Sequence, residues 1–546
     1  MRSLASIIFI GCCIMMPSGS AQAAAARVAV TGGEIEGVVE QDGLRVFLGI
    51  PYAAPPVGAL RWAPTAPVQP WFGVLDVKTL RSPCIQVSGM NRYYDSNTEH
   101  MNEDCLFLNV WTRAESAQAK LPVMVWIHGG AFVQGSGGDW DGANLSTKGV
   151  IVVTVNYRLG PFGFFAHPEL TAENAGRGSG NQGFFDQIAA LQWVQDNIRN
   201  LGGDPDNVTI FGESAGSWSM SVLQASPLAR GLFHKVIGQS GGRFLPMWYR
   251  DRATSYAPSA EDYGKKLGKI FAHGGNADLQ GLRKLPAEQI MHAYQGDAGI
   301  LTNFDALAIV DGQILPEEVD TIFSKGQQAD VPVLIGSNED EAMTFAEDAV
   351  NPEVAASLDY QVLFAELVSW LLPEVAGQLA ELYPTNNQAQ ARQSWVDFHT
   401  DVVFTQPMKV WADRMSNVSS NTYLYWWNWH PAIGGSTAFK AFHTAELDYV
   451  FGNFGESAGY NFAIDDTPRE RQFSALMTDI WTNFAKTGNP SVANLLAWPA
   501  YNAKDPTYMV LGPDIHETGP IRAAKLALIT EAYTQRRLNS KYLGSE

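Results

Sequence analysis

The strongest constraint on how this chain can fold is a set of apolar runs that leave no face for water. Leu121-Pro122-Val123-Met124-Val125-Trp126-Ile127 contains no polar side chain, and Val150 to Val155 is nearly as apolar. A strand with one wet face alternates apolar and polar residues, whereas a strand covered on both faces does not. Such runs predict a central parallel sheet with helices packed on each side. Asn207-Val208-Thr209-Ile210, the segment His234 to Gly238 and Val331 to Ile335 read as further strands. Between them lie helical stretches. The clearest follows Gly180-Asn181-Gln182-Gly183, places Phe184, Ile188, Leu191, Trp193, Val194 and Ile198 close to helical period, and stops at Leu201-Gly202-Gly203-Asp204-Pro205. Strands alternating with helices predict an α/β fold. Residues 24 to 80 differ, with turn signals between short apolar runs that read as short antiparallel strands.

The strand at 207–210 runs into Phe211-Gly212-Glu213-Ser214-Ala215-Gly216, after which Ser217 to Leu223 reads as a helix. Strand, tight turn and helix around Gly212-x-Ser214-x-Gly216 fit a nucleophile elbow, where small neighbours are needed because strand and helix crowd the serine. An ordinary Gly-rich turn satisfies the same five residues, so the reading depends on the other parts that a serine hydrolase needs. His128-Gly129-Gly130-Ala131-Phe132 follows the first apolar run, at the carboxyl end of a strand where an open α/β sheet places its site. A carboxylate should follow the nucleophile at another strand end, and Gly336-Ser337-Asn338-Glu339-Asp340-Glu341-Ala342 supplies three. Chemistry alone leaves Glu339, Asp340 and Glu341 open. A histidine must come later, and His399, His430, His443 and His516 qualify by order. His399 lies in a helix-like stretch, His430 closes an aromatic strand, and His516 sits near the last polar turn. His443 follows a Gly-containing loop that can carry it across the sheet edge.

Several separated stretches resemble the type B carboxylesterase family, to which cholinesterases belong. They are Phe47 to Gly58 with Arg61-Trp62 and Pro70-Trp71, Glu103-Asp104-Cys105-Leu106-Phe107-Leu108-Asn109-Val110, the glycine loop at 128–132, the elbow at 212–216, Asn338 to Ala342, and His443-Thr444-Ala445-Glu446-Leu447-Asp448-Tyr449-Val450-Phe451-Gly452. The resemblance implies an α/β-hydrolase fold: a large, mostly parallel central sheet with helices on both faces and a small N-terminal antiparallel sheet, as one domain over residues 27–546. It selects Glu341 and His443 as partners of the nucleophile Ser214, and implies that Gly130, Ala131 and Ala215 supply the oxyanion-hole N–H groups. Glu213 is left as a pocket-lining or structural carboxylate. Where the family often has a third glycine this chain has Ala131, whose methyl should narrow the alcohol side of the pocket. The implied activity is hydrolysis of small-molecule carboxylic esters through an acyl-enzyme, with no cofactor and no metal. The loop 85–104 contains no tryptophan, the residue that grips the quaternary ammonium group in cholinesterases, and offers only Tyr93 and Tyr94. That argues against a choline ester. A lipase acting on long-chain esters is the alternative activity. A non-catalytic, cholinesterase-like binding protein is the alternative class, and the presence of every active-site part argues against it.

Arg2, the apolar run Leu4 to Met16 and Ala21-Gln22-Ala23 predict a signal peptide over residues 1–23, and hence a secreted or periplasmic protein. Phe9-Ile10-Gly11-Cys12 loosely resembles a lipid-attachment site, which leaves an anchored protein as a minor alternative. No later run is long and apolar enough to predict a membrane span. Cys12 and Cys13 would leave with the signal, so Cys84 and Cys105 remain to pair in an oxidising compartment. Closing that loop should stabilise the fold by roughly 3 kcal/mol. A formal charge of −19 argues against a nucleic-acid partner, which would need clustered Lys and Arg.

Overall fold

Among the described residues, thirteen strands form one mixed sheet. They are β1 (Ala24–Val30), β2 (Gly33–Val39), β3 (Arg45–Pro51), β4 (Val74–Asp76), β5 (Phe107–Thr112), β6 (Leu121–Ile127), β7 (Ile151–Val155), β8 (Gly203–Glu213), β9 (Lys235–Gln239), β10 (Val333–Asn338), β11 (Thr422–Trp427), β12 (Tyr508–Leu511) and β13 (His516–Thr518). The computed structural model describes residues 24–87, 100–175, 178–296, 308–346, 357–454, 463–493, 495 and 497–540. The expected signal peptide and Tyr93 and Tyr94 lie outside them.

The sheet order is β1-β2-β3-β5-β7-β6-β8-β9-β10-β11-β12-β13, with β4 beside β2. From β7 through β12 every neighbour is parallel. β1, β2 and β3 pair antiparallel, as expected for residues 24 to 80, but β4 runs parallel to β2, and these strands do not form a sheet of their own. β3 pairs with β5 and β5 with β7, so the antiparallel strands extend one edge of the main sheet.

The two faces of the sheet separate along β6. Val123, Val125 and Ile127 join the core that includes Phe184, Leu191 and Val194 of the helix Gln182–Asn197. Met124 and Trp126 join the opposite core with Phe473, Met477, Trp481 and Phe484 of the helix Pro468–Thr487. Each of these five strand residues is fully buried, which is why the run needed no polar alternation. One boundary differs from the sequence expectation. The helical stretch ends at Leu201 with Gly202 left-handed, inside the expected stop Leu201-Gly202-Gly203-Asp204-Pro205, but β8 already begins at Gly203, ahead of the strand expected from Asn207. The proline is tolerated because the pairing with β6 is irregular there: Leu121 faces Gly203 while Val123 faces Val208.

Candidate active site

The ends of four adjacent parallel strands bring the proposed parts together. At the end of β8 the chain turns through Ser214, whose φ of 56° lies in the region that favours glycine, and enters the helix Ala215–Ala225. The turn is held by backbone: Ser214 N–H donates to Gln239 O on β9 (2.9 Å), and Ser214 O accepts from Trp218 N–H (2.9 Å). Side chains cannot replace the flanking glycines. A Cβ on Gly216 would lie 2.1 Å from Ile127 O, and one on Gly212 would lie 2.7 Å from both Ile127 O and the Gly216 carbonyl carbon. Helix and strand are therefore pressed onto the end of β6.

The loop after β6 carries left-handed backbone at Gly130 (φ 94°), Ala131 (54°) and Phe132 (60°). This conformation explains why a glycine is usual where Ala131 stands. The loop lies against the nucleophile, since a Cβ on Gly129 would come within 3.1 Å of Ser214 Cβ. The N–H groups of Gly130, Ala131 and Ala215 donate to no acceptor among the described residues. Unmatched donors grouped beside a serine are what a developing oxyanion requires.

Glu341 opens a short 3-10 turn (Glu341–Phe345) after β10 and is fully buried. Its Oε1 accepts Asn338 N–H at 2.7 Å, and its Oε2 lies 2.7 Å from His443 Nδ1. His443 N–H also donates to Glu341 O (3.1 Å). The other candidate acids lie elsewhere: Asp340 accepts Lys440 Nζ at 2.9 Å, and the half-buried Glu339 carboxylate groups with Asp340 and His430, not with His443. The other histidines do not reach Glu341. His399 is packed between Trp395 and Phe345, and burial pushes it down to about 4. His430 stands 4.0 Å from Asp340, and His516 is exposed on β13 with its Nδ1 on Asp514 O. Donor atoms of Glu339, Asp340 and His430 fall within 4.8 Å of one another, but Lys440 already neutralises the carboxylate that a cation would need.

Two further buried carboxylates surround the imidazole. Glu213 Oε1 lies 3.2 Å from His443 Nε2, at ion-pair distance but without hydrogen-bond alignment. Burial, with Glu446 and Glu341 adding, pushes Glu213 well above the usual carboxylate range. Glu446 accepts amide hydrogens from Gln239 (3.1 Å) and Asn338 (2.6 Å), and burial pushes it up to about 7. Sequence reasoning assigned no role to Glu446, Gln239 or Asn338. The one signal was the position of Glu446, three residues after His443 in the matched pattern. No hydrogen bond joins Ser214 Oγ to His443 among the described residues; in many hydrolases that bond tightens only around substrate. Away from this cluster, Cys84 and Cys105 are joined in a disulfide.

Residues 24–528 match the family model described as the carboxylesterase family. The chain is 36% identical over 491 residues to the para-nitrobenzyl esterase of Bacillus subtilis (strain 168), covering 88% of this chain and 94% of that protein. It is 32% identical over 523 residues to liver carboxylesterase 1 of Oryctolagus cuniculus, covering 90% and 89%. The solved structure of a thermophilic PNB esterase superposes with a TM-score of 0.78 at 34% identity, covering 92% of this chain and 99% of that one.

Proposed function

From the premise that this chain belongs to the carboxylesterase family, has the α/β-hydrolase fold and is a carboxylic-ester hydrolase, we propose that it works through a Ser214–His443–Glu341 triad and that it is exported. Ser214 Oγ attacks the ester carbonyl carbon while His443 Nε2 takes its proton. Glu341 accepts the Nδ1 hydrogen, holding the ring in the tautomer whose Nε2 lone pair is free, and it stabilises the imidazolium that forms. The N–H groups of Gly130, Ala131 and Ala215 bind the tetrahedral oxyanion. Collapse breaks the bond to the alcohol oxygen, which leaves with the proton from His443. Water then attacks the acyl-enzyme by the same route, and the carboxylic acid departs.

The observation that carries the triad is the 2.7 Å contact between His443 Nδ1 and Glu341 Oε2, the one such carboxylate contact at Nδ1 among four candidate histidines and three candidate acids. Incubation with a fluorophosphonate probe tests it. The folded protein should be labelled on Ser214, the Ser214→Ala variant should not, and labelling of the variant at full rate would refute the assignment. A para-nitrobenzyl ester, after the name of the Bacillus relative, is the substrate to try first. Export is supported by the apolar N-terminal run and by a disulfide, which persists in oxidising compartments. Amino-terminal sequencing of protein from an expressing culture should begin at Ala24; recovery of an intact Met1 terminus in the cytosol would reject it.

A further inference from the structure

The loop that bears the oxyanion N–H groups does little to hold itself in place. Within it, Val133 and Gln134 N–H both converge on Gly130 O (2.9 and 3.0 Å), and Gly130, Ala131, Phe132 and Gly135 all have left-handed φ values. Backbone of this kind persists only where its surroundings over-determine it. Two buried amide side chains supply that support. Gln86 grips Gly135 at both ends, its Oε1 accepting Gly135 N–H at 2.7 Å and its Nε2 donating to Gly135 O at 3.2 Å and to Cys84 O at 3.1 Å. The next residue adds Val87 N–H to Val133 O (2.9 Å). Asn156, just past β7, accepts Gly137 N–H (2.8 Å) and the Ser136 hydroxyl (3.2 Å) on Oδ1, while its Nδ2 donates to Cys105 O (3.1 Å) and Ser82 O (3.3 Å). The loop is thus tied on both sides to residues at and beside the Cys84–Cys105 bridge.

The grip on Gly135 reaches the reacting centre through close backbone packing. A Cβ on Gly135 would sit 2.3 Å from His128 Nδ1, and that nitrogen donates to Gly129 O at 2.9 Å. Gly129 in turn abuts Ser214. A shift of Gly135 therefore moves His128, Gly129 and the donors that follow. We propose that Gln86 is a positioning residue for ester hydrolysis: through its two bonds to Gly135, seconded by Asn156, it holds the oxyanion loop at working distance from Ser214 and couples that distance to the disulfide-closed segment. The proposal rests on the oxyanion role given to Gly130 and Ala131 above.

Gln86→Ala removes the grip, and Gln86→Met removes its hydrogen bonds at nearly constant volume. Displacing preorganised donors by about an ångström costs on the order of a hundredfold in rate. Both variants should lose ten- to hundredfold in kcat with KM within about threefold, and a trifluoromethyl ketone, which mimics the tetrahedral adduct, should bind weaker in the same proportion. A residue that only supports the fold would lower the melting temperature and leave that ratio alone. The proposal is overturned if kcat stays within twofold, if KM rises at constant kcat, if ketone affinity does not follow kcat, or if neither variant folds. Failure of the unmodified protein to react with a fluorophosphonate would instead reject the serine-esterase mechanism, so the two failures are separable.

Discussion

Glu341→Gln is the substitution whose outcome the geometry determines most closely. The wild-type carboxylate accepts two hydrogens, from Asn338 N–H and from His443 Nδ1, each at 2.7 Å. A glutamine offers one acceptor and one donor, so one of these contacts must change sign. Asn338 N–H is backbone and can only donate, which assigns the amide oxygen to it. The amide NH₂ then faces His443 Nδ1, which must give up its hydrogen and accept. The ring is driven into the tautomer with hydrogen on Nε2, the nitrogen that takes the proton from Ser214 in the proposed mechanism. Forcing the wrong tautomer with otherwise intact geometry costs about 10⁴ in kcat, or about 5 kcal/mol of transition-state stabilisation. The assay is steady-state hydrolysis of a soluble nitrophenyl ester with fluorophosphonate labelling in parallel, on protein shown to be folded by its thermal transition. Both rates should fall together. The same substitution at the two rival acids, Glu339→Gln and Asp340→Asn, should leave the tautomer alone and cost far less. Retention of a tenth or more of wild-type activity by Glu341→Gln, or a larger loss at Glu339 or Asp340, would refute the reasoning.

Other substitutions read out the frame and its protons. Gly216→Ala places a methyl 2.1 Å from a backbone oxygen on each molecule's central strand, so it should destabilise by about 3 kcal/mol or prevent folding; an unchanged melting temperature would contradict the crowding. Replacing Cys84 and Cys105 together with serine opens a loop of 21 residues' separation and should lower the unfolding free energy by about 3 kcal/mol, measured by urea titration, with a loss under 1 kcal/mol as the contrary result. Burial, with Glu341 adding, pushes Glu446 up to about 7 in the folded protein from 4.5 for a free side chain. Between those values the native state keeps a proton that the unfolded chain has lost, so this group makes stability fall as pH rises from about 4.5 to about 7, by about 3 kcal/mol in total, and adds no further slope above that. Glu446→Gln should flatten that slope in the pH dependence of the unfolding midpoint, and an unaltered slope would show that the carboxylate is not the group responsible.

The frame was legible where local chemistry and global position agree. β6 and β7 are apolar because both faces are buried, and the disulfide followed because two cysteines remained after the expected signal peptide. Gly212 and Gly216 could be read as an elbow because strand-to-helix crowding leaves its mark on adjacent residues. The acid and the histidine were harder. Their contact spans 102 positions in the chain, and nothing local distinguishes Glu341 from Glu339 or Asp340; family resemblance made the choice. Gln86 was illegible for the same reason in stronger form. Its partner Gly135 lies 49 residues away and is reached through backbone atoms that every residue possesses. The separate N-terminal sheet also failed to appear, because pattern reports that strands are antiparallel but does not report which edge they extend.

Three buried carboxylates lie around His443, and they differ in the hydrogen-bond donors that they receive. Glu341 receives a backbone N–H from Asn338 besides the imidazole of His443. Glu446 receives side-chain amide hydrogens from Gln239 and Asn338 and a backbone hydrogen bond, not enough to offset its burial. Glu213 Oε1 has no aligned donor at all, although it stands 3.2 Å from Nε2. An ionised Glu213 at that distance would compete with Ser214 for Nε2 in the proposed mechanism. Burial, with Glu446 and Glu341 adding, raises Glu213 well above its ordinary range, the direction that disfavours its charged form. The acid next to the proposed nucleophile is thereby shifted in the direction the proposed mechanism needs, while Asn338, bonded through its backbone to Glu341 and through its side chain to Glu446 and to Phe442 O beside His443, sets the spacing between Glu341 and Glu446.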